Sequence, residues 1–217
     1  MNAADIWILA GVPASSFVVA LSGALMPGPL LTLTVGESAR RGFWAGPLIM
    51  VGHAVLELAL VILLLIGVGA WLHRPWILGA VGLGGAVMLG WMGLGLVRAS
   101  RGGRLELDAN AAGGLHPVWA GVLMSLANPY WLLWWLTIGL GYVLFSVKYG
   151  FVGVLLFFVG HILADFAWYT LVAAAVARGS RFLSDQVYRN FLAGCGVFLF
   201  AFGGYFGFQG VKFLLNA

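Results

Sequence analysis

The chain is a succession of long apolar runs separated by short polar stretches. Charged residues, prolines and glycines divide it into six runs, at about 13–35, 47–72, 76–97, 117–145, 151–177 and 191–214. A helix needs about 20 apolar residues to cross the hydrocarbon core of a bilayer. Such a helix satisfies its own backbone hydrogen bonds in lipid. The pattern therefore predicts an all-α integral membrane protein with six transmembrane helices.

The composition supports this interpretation. Hydrophobic residues make up 62% of the 217 residues and charged residues only 8%, against about 25% charged in soluble domains. In a soluble protein, a net charge of +4 would suggest nucleic acid as a binding partner. However, the basic residues lie in short loops between apolar runs, where the positive-inside rule accounts for them. We expect the partner to be the lipid bilayer and not a nucleic acid.

The distribution of Lys and Arg predicts the orientation of the chain. Loops one, three and five carry eight of these residues, and the opposite side carries three. The eight are Arg40, Arg41, Arg98, Arg101, Arg104, Arg178, Arg181 and Arg189. Because cytoplasmic loops carry the excess of positive charge, we expect a multi-pass protein of the cytoplasmic membrane with both termini outside.

The two halves of the chain share an internal repeat. With a shift of 108 residues, the stretch 42–59 matches 150–167, including a Gly-His pair followed four residues later by an acid. We take 1–108 and 109–217 as two related halves of three helices each. Since three is odd, the second half enters the membrane in the opposite sense. Inverted repeats of this kind are common in secondary transporters, whose substrate sites lie between the repeats near the midplane.

The repeat contains the two acids that lie deep in the predicted spans, Glu57 and Asp165. A charge at that depth costs about 2.5–3.5 kcal/mol on insertion scales, and such residues mark ion pathways or proton relays. His53 and His161 each precede an acid by four positions, which puts both side chains on one helix face. We expect these four residues to couple proton movement to transport. The alternative is that each pair is a polar clamp between helices.

Proline and glycine interrupt two corresponding spans. Pro27, Gly28 and Pro29 fall inside the first span, and Asn128 and Pro129 fall inside the fourth. Prolines remove helical hydrogen bonds and glycine adds conformational freedom. Paired interruptions of this kind point to a transporter binding site. We expect these five residues to bind the substrate, and a kink without a ligand is the alternative.

These motifs together resemble a known family. Pro27-Gly28-Pro29, the basic turn Arg40-Arg41-Gly42 and Asn128-Pro129 look like those of the lysine-exporter translocators of the LysE/RhtB type. The resemblance covers nearly the whole chain. It implies export of amino acids or related small zwitterionic metabolites, driven by the proton gradient or the membrane potential. The paired Gly-His-x-x-x-acid motifs depart from the family pattern, which indicates a divergent branch.

A second function stays open at this stage. His53, Glu57, His161 and Asp165 form a plausible ligand set for a divalent metal cation. This function, a metal exporter, requires the two His-acid pairs to converge. A non-transporting membrane subunit or an embedded enzyme ranks last, because the chain offers no nucleophile or cofactor motif and lacks zinc-protease and serine-hydrolase motifs. The absence of a phosphate-binding loop argues against ATP-driven pumping by this chain alone. We therefore expect no enzyme activity and no cofactor, and we leave open a homo-oligomer.

Other features are expected to serve packing. Small residues recur every four positions at Gly82, Ala86 and Gly90, and again at Gly203 and Gly207, a spacing that permits close helix crossings. Three tryptophans cluster on one side of the fourth span and are expected to face lipid or core. A single polar residue in the sixth span is expected to bond a neighbouring helix. These last residues are Trp131, Trp134, Trp135 and Gln209.

Overall fold

The structure is a computed structural model that describes residues 3–67, 74–101, 115–179 and 185–215. These residues are helical except at turns and breaks, and six helical stretches are long and apolar enough to cross a membrane. The prediction of an all-α chain with six spans is therefore confirmed. The helices are α1 (Ala3–Ala24), α2 (Pro29–Arg41), α3 (Ala45–Leu65), α4 (Pro75–Ser100), α5 (Pro117–Leu126), α6 (Pro129–Trp134), α7 (Leu140–Val147), α8 (Gly150–Gly179) and α9 (Asp185–Leu215).

The first predicted span, 13–35, is divided between two helices. α1 ends at Ala24, and α2 begins at Pro29 and continues to Arg41. Gly28 precedes α2 with an extended backbone, φ −159° and ψ −168°. Proline fits the first turn of a helix because its missing N–H is not needed there. The sequence predicted the interruption, but not that the following helix would run on past the predicted span.

The fourth predicted span, 117–145, is interrupted at the expected place. The Asn128 Oδ1 atom accepts a hydrogen bond of 3.1 Å from the Tyr130 backbone N–H and so caps α6. Between α6 and α7 the chain makes a π-helical turn, Trp135–Gly139. A Cβ atom on Gly139 would meet the Trp135 ring at 2.5 Å, so glycine makes room there for the indole. Single π-helical turns are frequent at functional sites.

The other predicted spans correspond to single helices. α3 ends at Leu65, and Gly67 follows with a left-handed φ of 96°. The rest of the second predicted span, 68–72, lies outside the described residues. The predicted spans 76–97, 151–177 and 191–214 lie within α4, α8 and α9. Arg104 and Arg181, which entered the orientation argument, also lie outside the described residues.

Small residues allow α4 and α9 to pack closely. Gly82 lies against Gly210, and Gly93 lies against Gly196. The contacts run in opposite order along the two helices, so the helices are antiparallel. A Cβ atom on Gly203 would meet the Ala86 carbonyl oxygen at 3.1 Å. The expectation of close packing at this stripe of small residues is confirmed.

Two other crossings bring α3 and α8 to the centre. A Cβ atom on Gly52 of α3 would overlap the Val118 carbonyl group of α5. Likewise, a Cβ atom on Gly160 of α8 would overlap the Pro13 carbonyl group of α1. Glycine at both positions is therefore required by close backbone contact. Each of these helices packs on the first helix of the other half of the chain.

Candidate functional site

α3 and α8 bring four titratable side chains together. His53 and Glu57 lie one turn apart on α3, and His161 and Asp165 lie one turn apart on α8. Gly46, near the start of α3, packs against the later part of α8, so the two helices are antiparallel. His53 therefore faces Asp165, and Glu57 faces His161. All four side chains are buried, with 2 to 5% of their surface exposed.

Short distances join these four side chains into one cluster, which we call the His-acid cluster. Glu57 is central: its Oε1 lies 3.1 Å from His53 Nε2, and its Oε2 lies 2.9 Å from His161 Nε2. Asp165 Oδ2 lies 3.5 Å from His161 Nε2 and 3.9 Å from His53 Nε2. The two His-acid pairs therefore converge, which is the condition that the metal-exporter alternative set.

Two tryptophans fix the orientation of Glu57. Trp131 Nε1 donates a hydrogen bond of 3.0 Å to Glu57 Oε1, and Trp135 Nε1 donates one of 2.8 Å to the same oxygen. An indole nitrogen can donate but not accept. Oε1 is therefore the acceptor in both bonds.

Ser125 fixes the tautomer of His53. The Ser125 hydroxyl donates to the Gly121 carbonyl oxygen at 2.7 Å, and its oxygen lies 2.7 Å from His53 Nδ1. Because the hydroxyl hydrogen is already used, Nδ1 must carry the hydrogen of the second bond. Nε2 of the same ring then faces Glu57 Oε1, and one proton between these two atoms makes the contact attractive.

Several polar atoms of the His-acid cluster have unused hydrogen-bonding capacity. Within the described part of the chain, Glu57 Oε2, Asp165 Oδ2 and both ring nitrogens of His161 have no aligned hydrogen-bond partner. Buried polar atoms in folded proteins are nearly always hydrogen-bonded. This set of atoms is therefore suited to bind a further proton, an ammonium group or a cation.

A small cavity beside the cluster reaches the helix breaks. We call this space of about 40 Å³ the polar cavity; its lining includes the cluster, Leu30 of α2 and Asn128. Gly28 lies close to the Asn128 side chain, since a Cβ atom there would be 3.8 Å from Asn128 Nδ2. Pro27 and Gly28 line a second space of about 10 Å³, together with Asn128. The two breaks thus meet next to the His-acid cluster.

Comparison with known proteins identifies the family. The family model described as LysE type translocator matches residues 21–210. The chain belongs to this family. It is also 26% identical over 209 residues to the putative amino acid efflux protein YcgF of Bacillus subtilis (strain 168), covering 93% of this chain and 98% of that protein. No solved structure matches the chain. The resemblance in the motifs is confirmed, and the chain is a multi-pass membrane protein of this translocator family.

The structure brings most of the predicted site residues of this LysE-type chain to one place. The His-acid cluster and Asn128 line the polar cavity. Pro27 and Gly28 lie one space further away, and Pro29 is buried at the start of α2. Pro129 begins α6, but its side chain is outside the described part.

Sequence reasoning missed three residues that contact the cluster. Trp131 and Trp135 were expected to face lipid or core, and Trp135 is indeed buried in the core with Trp131 packed against it. Their hydrogen bonds to Glu57 were not predicted. Ser125, which bonds His53, was not singled out at all. The available signal was the position of these tryptophans directly after the predicted helix break at Asn128 and Pro129.

A further buried acid lies away from the His-acid cluster. Glu37 lies beyond the first predicted span, and α2 carries it with only 7% of its surface exposed. Arg40 Nη2 lies 2.7 Å from Glu37 Oε1, and Arg41 Nε lies 2.6 Å from Glu37 Oε2. Arg41 also donates to the Leu115 carbonyl oxygen at 3.3 Å. These bonds tie the end of α2 to the segment that precedes α5.

The cluster also has the donor atoms of a metal site. One ligand atom each of His53, Glu57 and Asp165 lie within 4.8 Å of one another. Imidazole and carboxylate groups suit divalent transition metals. The bond from His53 Nδ1 to Ser125 resembles the supporting contacts that orient metal-binding histidines.

Proposed function

We propose that this LysE-type translocator exports amino acids or related small zwitterionic metabolites across the cytoplasmic membrane as a secondary transporter. The observation that carries the proposal is the meeting of a buried His-acid cluster and two helix breaks at one polar cavity. The cluster supplies negative charge and proton sites, and the breaks supply exposed backbone groups. The name of the Bacillus relative, which refers to amino acid efflux, supports the same substrate class.

The two ends of a zwitterion match different sides of the cavity. Asp165 Oδ2 and Glu57 Oε2 are acceptors for the ammonium group, since both have capacity left among the described contacts. The carboxylate is bound by Asn128 Nδ2 and by the free backbone N–H groups at the start of α2. The N-cap residue of α2 is Gly28, and no side chain caps the helix there. A helix N-terminus attracts anions because its first N–H groups are free and its dipole is positive there.

Proton coupling follows from the charge of the cluster. Binding an ammonium group beside two carboxylates favours release of a proton from the cluster, and departure of the substrate favours its return. A net charge at this depth is costly, so the carrier crosses between its two open states most readily when the cluster is neutralised by substrate or proton. This is the physical basis of exchange between protons and substrate.

We infer further that the two halves of the chain are inverted repeats. Under the shift of 108 residues, His53 corresponds to His161 and Glu57 corresponds to Asp165. The contact of His53 with Asp165 therefore corresponds to the contact of His161 with Glu57. Two matched glycines, Gly42 and Gly150, have left-handed φ values of 83° and 65°. The packing of α3 on α5 has its counterpart in that of α8 on α1. These correspondences support alternating access between two similar gates.

The orientation belongs to the same proposal. With the arginine-rich loops in the cytoplasm, both termini lie outside. Arg40 and Arg41 at the end of α2 then mark the cytoplasmic end of the path from the polar cavity.

Transport by purified protein in liposomes tests this proposal. Liposomes are loaded with radiolabelled amino acids, and efflux is measured with and without a pH gradient in which the outside is more acidic than the interior. We expect the gradient to accelerate efflux in the wild type, and Glu57→Gln and Asp165→Asn to lose that acceleration. Glu37→Gln, a buried acid away from the cavity, is the matched control and keeps it. Flux that remains pH-coupled in both cluster variants contradicts the proposed role.

A divalent cation exporter is the second candidate. The observation that favours it is the approach of His53, Glu57 and Asp165 ligand atoms to within 4.8 Å. Ligand-dependent thermal stabilisation separates the two candidates, because a ligand that binds the folded state raises its stability by mass action. Amino acids stabilise the exporter of zwitterions. Stabilisation by Zn²⁺ or Mn²⁺ alone, lost in His53→Gln, favours the metal exporter.

A further inference from the structure

The polar cavity is too small to hold a whole amino acid. Its volume is about 40 Å³, whereas an engineered apolar cavity that binds benzene has a volume of about 150 Å³. The cavity therefore accommodates a charged head group but not the side chain of most amino acids. The side chain of a transported amino acid must lie in an adjoining space.

A larger space adjoins the polar cavity. It has a volume of about 260 Å³ and lies between α4, α9 and the segment from α6 to the π-helical turn. We call it the apolar chamber; it is lined chiefly by Leu78, Leu133, Ile138, Phe202, Phe206 and Phe213. Its outer side is open, since Ile138 and Phe213 are 40% and 39% exposed. Small-molecule pockets begin at about 300 Å³, so the chamber is close to that size by itself.

Two aromatic side chains separate the chamber from the polar cavity. Tyr130 and Trp134 line both spaces. Ser22 of α1 holds both rings: Tyr130 Oη donates to the Ser22 carbonyl oxygen at 3.1 Å, and Trp134 Nε1 donates to Ser22 Oγ at 3.2 Å. Tyr130 directly follows the helix break at Asn128 and also lines the space beside Gly28. Only the rings of Tyr130 and Trp134 therefore lie between a head group at the cluster and the chamber.

The lining of the chamber favours an uncharged occupant. In the described part of the chain, no Asp, Glu, Lys, Arg or His lines it. Its polar groups are uncharged and partly bonded within their own helices: Thr137 Oγ1 donates to the Leu133 carbonyl oxygen at 2.7 Å, and Gln209 Nε2 donates to Tyr205 Oη at 2.9 Å. Gln209 thus bonds within α9, where a bond to a neighbouring helix was expected. A charged side chain would lose its hydration here without gaining an oppositely charged partner.

From these contacts we propose that the exported zwitterions carry a large, uncharged, mainly apolar side chain, which the apolar chamber holds while the head group lies at the His-acid cluster. This inference rests on the proposed amino acid export and specifies its substrate class. Tyr130 and Trp134 are the residues that determine specificity, because the side chain passes between them. Leucine, methionine and phenylalanine are the substrates that fit this chemistry, and lysine and glutamate are excluded.

Competition for efflux in liposomes tests the inference. Efflux of radiolabelled leucine is measured against unlabelled leucine, phenylalanine, alanine, lysine and glutamate. We expect leucine and phenylalanine to compete at least tenfold better than alanine, since each methylene in a hydrophobic pocket changes discrimination by about 10-fold or more. Lysine that competes as well as leucine overturns the inference.

Variants of the lining locate the side chain. Leu78→Trp narrows the chamber and reduces leucine efflux more than alanine efflux, whereas Val87→Trp, at a position on α4 with 75% of its surface exposed, leaves the ratio unchanged. Gln209→Glu adds an acid to the chamber and allows lysine to compete. If a lipid acyl chain fills the chamber instead, neither Leu78→Trp nor Gln209→Glu alters the selectivity, and the inference is wrong.

The outcomes distinguish this inference from the proposed function. If no amino acid is transported or competes, the amino acid export fails and the inference fails with it. If alanine, lysine and leucine are exported equally well and lose pH coupling together in Glu57→Gln, the proposed function stands and the substrate class is wrong.

Discussion

Trp135 donates its indole N–H to Glu57 Oε1 across 2.8 Å, from the π-helical turn to the middle of α3. Trp131 donates to the same oxygen at 3.0 Å. Hydrogen bonds of this kind are strongest when the acceptor carries a negative charge. The break at Asn128 and the widened turn after it thus direct two indoles at one buried acid.

The first prediction concerns Trp135→Phe, which keeps an aromatic ring and removes one donor to Glu57. Without this donor the ionised carboxylate is less stabilised, so the cluster retains its proton to higher pH. A hydrogen bond to a charged group contributes about 1.5–3 kcal/mol, and one pH unit corresponds to about 1.4 kcal/mol. We therefore expect the pH of half-maximal coupled efflux, measured in liposomes, to rise by about one to two units.

Trp168→Phe on α8 is the control for that variant. The Trp168 indole N–H has no hydrogen-bond partner among the described residues, and its side chain does not line the polar cavity, so its replacement should leave the pH of half-maximal efflux unchanged. Equal pH profiles for wild type and Trp135→Phe would show that the indole bond does not influence proton binding at the cluster.

The sequence could predict the pairs of the His-acid cluster but not their surroundings. The spacing of four residues between His53 and Glu57 fixes them on one helix face whatever the fold. The match with His161 and Asp165 indicated a second, related pair. The contact between the pairs depends on the antiparallel packing of α3 and α8, which the repeat suggested because related halves of three predicted spans each would enter the membrane in opposite senses.

Contacts between helices could not be predicted in the same way. The bond between Ser125 and His53 joins residues 72 positions apart, and nothing local to either residue encodes it. The bounds of α1 and α2 also differed from the predicted first span. Apolar residues continue through the break at Gly28, and only the prolines mark where the helix ends. Glu37 was overlooked because it follows the last apolar residues of that run, and the predicted span ended before it.

The second prediction concerns Ser125→Ala, which removes the partner of His53 Nδ1. A buried donor left without a partner costs about 1–3 kcal/mol, and His53 is then free to present the other tautomer to Glu57. We expect coupled efflux to fall by about tenfold or more while the protein remains folded. Transport rate and thermal stability are measured on the same preparation.

Ser146→Ala is the matched control. Ser146 is fully buried, and its hydroxyl has no hydrogen-bond partner among the described residues. Its replacement should leave efflux close to the wild-type rate. If Ser125→Ala and Ser146→Ala transport equally well, Ser125 does not position His53 for coupling.

The third prediction concerns the crossing of α3 and α5. A methyl group at position 52 overlaps the Val118 carbonyl group, so Gly52→Ala must push the two helices apart. Overpacking of this kind costs about 1–3 kcal/mol, which corresponds to a decrease in Tm of roughly 2–4 °C per kcal/mol for a chain of this size. Thermal unfolding in detergent measures the decrease.

Gly84→Ala in α4 provides the comparison. A Cβ atom there meets nothing within 4 Å, and alanine is the better helix former. We expect an unchanged or higher Tm. A Gly52→Ala protein as stable as Gly84→Ala would mean that α3 and α5 are not in close backbone contact.

The most direct test of proton coupling at the His-acid cluster records substrate and proton movement together. Wild-type protein is reconstituted with a pH-sensitive dye inside the liposomes, and an outward leucine gradient is imposed without a pH gradient. The account predicts that leucine efflux acidifies the interior, and that the double variant Glu57→Gln, Asp165→Asn shows no acidification. Wild-type leucine efflux without a pH change, or equal acidification in the double variant, would contradict it.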